Sequence, residues 1–74
     1  MSKKKEIEKE IEECELEIKS LEQKLMRSQT SLMESLLDKT EPDPIELEFF
    51  RVFSKLVKQQ RSRLADLNEE LKSL

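Results

Sequence analysis

Apolar residues recur along the first half of the chain at alternating steps of three and four. Ile11, Ile18, Leu25 and Leu32 form one column, and Ile7, Cys14, Leu21 and Ser28 form the other. The second half repeats the pattern, with Phe50, Val57, Leu64 and Leu71 in one column and Phe53, Gln60, Leu67 and Leu74 in the other. Steps of this kind place residues on one narrow helix face, the seam of a left-handed coiled coil. A single break interrupts the pattern, at Lys39-Thr40-Glu41-Pro42-Asp43-Pro44. Each proline disfavours helix for the residue before it. Asp43 then reads as an N-cap, with Pro44 at the first helical position and Glu46 at the third, as in a capping box.

These signals predict an all-α fold, an antiparallel two-helix hairpin of coiled-coil type forming a single domain over residues 1–74. The first helix is expected over about residues 3–38, the second over about 44–72, with the loop at 39–43. At 1.5 Å per residue, each helix is roughly 45–55 Å long. A connection this short makes the two helices antiparallel neighbours. Folding about Pro42 and Asp43 brings Leu32 opposite Phe53, Leu25 opposite Gln60 and Leu21 opposite Leu64. The same register sets Cys14 against Leu71 and Ile11 against Leu74. Cys14 reads as a small apolar seam residue. The polar seam positions Ser28 and Gln60 read as devices that set register or loosen packing.

One seam does not hold all the apolar residues. Near the loop, Ile45, Phe49, Val52 and Leu56 form a second stripe on the second helix, while Met26, Met33 and Leu37, with Leu36 alongside, do so on the first. A hairpin alone leaves much of this in water, and soluble monomers rarely expose large apolar patches. These eight residues are the candidate partner-binding set. Their cover is either a helical protein partner or a second copy completing a four-helix bundle. The plainer alternative is that they thicken the hairpin's own core near the loop. Flexible methionine side chains suit an adaptable surface. At the other end, Lys3, Lys4 and Lys5 oppose the helix dipole, so the first several residues are expected to fray.

Charged residues make up 42% of the chain, a level typical of disorder. The regular repeat of Leu, Ile, Val, Phe and Met argues instead for long helices. Glycine is absent, which removes the usual residue of left-handed caps and tight turns. Net charge is −3, from 17 acidic and 14 basic residues, which argues against nucleic acid as a partner. The one basic stretch, with Lys55, Lys58, Arg61 and Arg63, leaves a small RNA-organising bundle as the remote alternative. No apolar run approaches a membrane span. The basic start leads into charge rather than an apolar segment, unlike a signal peptide. One cysteine suits a reducing compartment, so the expected location is the cytoplasm.

Catalytic chemistry finds little to work with. There is no histidine, no glycine-rich phosphate loop and no cysteine pair for zinc. The glutamates between Glu6 and Glu17 lie on an exposed helix face with nothing to desolvate them. The expectation is a protein that is not an enzyme, with no cofactor, no metal and no small-molecule substrate. Its expected function is that of an adaptor or co-chaperone, with a structural homo-oligomeric coiled coil as the alternative.

The layout resembles the small helical-hairpin co-chaperones of type III secretion needle subunits. The matching residues are Asp43-Pro44 in the turn, Phe49 and Phe50 just after it, and Leu32, Leu36 and Leu37 before it. The resemblance spans nearly the whole chain. It implies a hairpin that pairs with a second, repeat-helix chaperone, the two together holding a needle subunit soluble until export.

Overall fold

The computed structural model describes residues 2–74. Two helices account for almost all of them: α1, Lys3–Leu37, and α2, Pro44–Lys72. They pack along their length into a rod of 55 × 16 × 14 Å, the antiparallel hairpin the apolar repeat predicts. The heptad columns are the seam. Ile7, Cys14, Ile18, Leu21 and Ser28 of α1 are buried, as are Val57 and Leu67 of α2. Ile11, Leu64 and Leu71 pack against this cluster.

Local chemistry explains the helix ends. Asp43 has an extended backbone, and its carboxylate accepts a hydrogen bond from the Ile45 N–H at 2.8 Å. Pro44 follows where its missing N–H leaves no gap. The reciprocal half of the expected capping box does not form, because Glu46 makes no hydrogen bond back to the Asp43 N–H among the described residues. Half-buried Glu46 lies toward the seam instead. At the end of α1 the chain closes with a Schellman motif. Lys39 takes the left-handed position at φ 56°. Its N–H donates to the Leu36 carbonyl (3.2 Å), and the Thr40 N–H donates to the Ser35 carbonyl (2.9 Å). The Thr40 hydroxyl donates to the same Ser35 oxygen (3.3 Å). A left-handed cap therefore forms without glycine, on a lysine.

This turn changes the register. The Cys14 thiol donates to the Gln60 carbonyl oxygen at 3.2 Å and lies 3.3 Å from Gln60 Oε1, so Cys14 does not face Leu71. Leu25 shares a groove with Val57. Lys24 Nζ stands 5.9 Å above the Phe53 ring. The contacts across the hairpin, Cys14 with Gln60, Lys24 with Phe53 and Glu22 with Arg61, each join α1 to a lower-numbered part of α2 than the expected fold-back does. The cause is the tight reversal at Asp38–Thr40, which starts the turn well before Pro42. The columns stay in the seam because the repeat is unchanged by such a slip.

The open end benefits. Leu67, with Leu71 beside it, now covers Ile7, which is only 3% exposed. Ser2 caps α1, its hydroxyl accepting from the Lys5 N–H at 3.2 Å. Of the first residues, Met1 lies outside those described, and α1 is helical from Lys3 with Ile7 buried. One exposed ion pair, Arg61–Glu22 at 3.1 Å, ties the helices at mid-length. Exposed pairs of this kind contribute less than about 1 kcal/mol.

Candidate protein-binding surface

The loop half of α1 is built inside out. On its seam side stand Ser28, Ser31 and Ser35, the first buried and the others half-buried, with Leu32 between them. The Ser35 hydroxyl donates to the Ser31 carbonyl at 3.3 Å, so part of this polar lining is satisfied on its own helix. On the outer faces stand Met26, Met33, Leu36 and Leu37, all exposed, Leu37 at 80%. A helix that places small hydroxyls inward and long apolar side chains outward gives up about 1.5–3 kcal/mol for each large residue left in water.

α2 makes a matching display. Ile45, Phe49 and Val52 are exposed, and Leu56 is half-buried. Phe49 is held by Phe53, with ring centroids 5.9 Å apart and planes 28° from parallel. Seven of the eight candidate residues are therefore exposed in the single chain. Leu56, the eighth, is partly taken up by the hairpin.

The structure does not bring the eight together. Two residues apart on a helix means roughly 200° of rotation. On α1, Lys24 reaches over Phe53, whereas Met26 lines a groove with Gln29, Val57 and Arg61 on the other side of the hairpin. On α2, Ser54 lines that same groove, so Val52 points away from it. The candidates thus divide into two patches on opposite sides of the plane through both helix axes. One is the α1 patch around Met26, Met33 and Leu36, with Leu37 next to it on the outer face; the other is the α2 patch of Ile45, Phe49, Val52 and Leu56. A single continuous stripe, as the residue spacing suggested, is not present.

Sequence reasoning missed Leu47, which is exposed at 42%. It lies one heptad before Ser54 and so on the α1-patch side. It has no apolar neighbours at helical spacing in its own column, so periodicity carries no signal for it. Leu16 is also exposed, but alone, between Glu15 and Glu17. Among the described residues no group of three or more Cys, Asp or Glu side chains is placed to hold a metal ion. No helix there is long and apolar enough to cross a membrane.

These features define a helical hairpin with two unpartnered apolar patches at its closed end. No protein-family model matches the chain, and neither the curated proteins nor the solved structures give a match.

Proposed function

We propose that the chain is a non-enzymatic protein-binding hairpin, an adaptor or co-chaperone that packs its loop-end apolar residues against a helical partner. The observation that supports this is the inversion in the loop half of α1, where Ser28, Ser31 and Ser35 occupy the seam side while Met33, Leu36 and Leu37 face water. Selection for hairpin stability alone favours the opposite arrangement, since buried leucine stabilises and exposed leucine does not. An amphipathic helix of a partner fits such a patch through residues at three- and four-residue steps. The open half, with its buried Ile7, Cys14 and Leu67, is the scaffold that holds the patch in place. Within this reading, the specific role is the one the family resemblance implies: a cytoplasmic co-chaperone working beside a second chaperone on a type III secretion needle subunit.

The test is capture of partner proteins from the source cell on the immobilised chain, compared with the Met33→Glu, Leu37→Glu double variant. Both residues are exposed, so the variant keeps its helical content. The proposal expects a protein retained by the original chain and lost with the variant. Equal retention by both chains contradicts it.

A further inference from the structure

We infer that the α2 patch is a self-association surface, on which α2 of a second copy lies antiparallel across a two-fold axis between Phe50 and Arg51. This rests on the reading of the loop end as a binding surface, and it assigns the α2 half to a second copy and leaves the α1 half for a foreign partner.

The first argument is the spacing. Ile45, Phe49, Val52 and Leu56 recur at four, three and four residues, an order that reads the same in both directions. A reversed copy sets Ile45 against Leu56 and Phe49 against Val52, and the two-fold repeats both pairings. Each of the four finds an apolar partner, the self-complementarity a two-fold contact requires. The α1 patch lacks this property. Met26, Met33 and Leu37 recur at seven and four, with Thr30 in the gap, so reversal pairs Met26 with Leu37 but sets each Met33 against a threonine.

The second argument is charge. Glu48 and Lys55 lie one heptad apart, in one column flanking the patch. Reversal lays Glu48 of each copy beside Lys55 of the other. A parallel copy puts these columns on opposite flanks and leaves both Glu48 and Lys55 without an opposite charge across the contact. The same holds at longer range: Glu41, Asp43, Glu46 and Glu48 precede the axis, and Arg51, Lys55, Lys58, Arg61 and Arg63 follow it. Turning one copy around superposes acidic on basic. Within the single chain these groups are little engaged. Lys55 forms no ion pair among the described residues, and Glu48 meets only Arg51, at 3.7 Å with both side chains largely exposed.

Sedimentation equilibrium of the full chain over about a hundredfold concentration range reads the outcome, since association follows mass action. A reversible monomer–dimer equilibrium is expected. Glu48→Lys and Lys55→Glu should each weaken it about tenfold, and the two together should return it to within about threefold of the original. Phe49→Ala with Val52→Ala should abolish the dimer and keep the far-UV helical signal. A chain that stays monomeric throughout overturns the inference, as does a dimer indifferent to these changes or a double charge variant that fails to recover. So does an Ala variant that loses its helical signal, because the patch is then internal core. A dimer broken by Met33→Glu but not by Glu48→Lys places the second copy on α1 and overturns it too. A monomer that still captures a foreign protein through Met33 and Leu37 sinks this inference alone. An intact dimer with no foreign capture sinks the proposed function alone.

Discussion

Lys39 holds a backbone conformation, φ 56°, that glycine enters freely and that costs a residue with a Cβ about 1–2 kcal/mol. The Schellman hydrogen bonds from Lys39 and Thr40 hold it there. Replacing Lys39 by glycine removes the steric cost, offset in part by the greater freedom of glycine in the unfolded chain. Lys39→Gly is therefore expected to stabilise the hairpin by roughly 0.5–1 kcal/mol, read as a higher urea midpoint at unchanged slope. A lower midpoint would mean that the lysine side chain contributes something beyond the turn geometry. Asp43 works at the same scale from the other side of the loop. Its carboxylate satisfies one of the N–H groups that open α2.

For the elements, the seam columns were legible because helical periodicity is a property of each helix alone. Every buried residue, Ile7 through Leu67, falls in a column read from spacing. Helix limits were legible too, through Pro44, Asp43 and the end of the apolar repeat. Register was not. A heptad pattern slipped by seven residues presents the same faces, so the columns are silent about which layer meets which. The turn decides, and Lys39 carries no glycine to announce a left-handed cap. The division of the candidate surface was obscure for a related reason. Spacing says how far a residue sits from the seam on its own helix. Its side of the hairpin also depends on direction, and antiparallel helices turn in opposite senses when seen from one end. Met26 and Val52 were thus grouped by distance from the seam although they face opposite ways. The register has an energetic consequence at the open end. Ile7→Ala should cost about 2–4 kcal/mol, as for a core residue. Leu16→Ala, only nine residues away and 63% exposed, should change stability by less than about 0.5 kcal/mol. Equal effects in urea unfolding would return the register to the one in which Leu74 faces Ile11.

The whole molecule is a thin rod, 55 Å long and 16 by 14 Å across, whose core is a single seam. Rods of this kind expose most of their surface, and small domains are marginal when alone. The two ends divide the work. The open half closes over Ile7, Cys14, Ile18 and Leu67, while the closed half lines its seam with serine and turns Met33, Leu37 and Phe49 outward. The central claim is that this closed half meets other proteins. It is tested most directly by placing a photo-crosslinking residue, in the source cell, at Met33 or Leu37 and, as the control, at Leu16. All three positions are exposed and apolar, so they differ in surroundings rather than in accessibility. The account predicts a discrete adduct with a foreign protein from Met33 and Leu37 and none from Leu16. Adducts from all three alike, or from none, would contradict it.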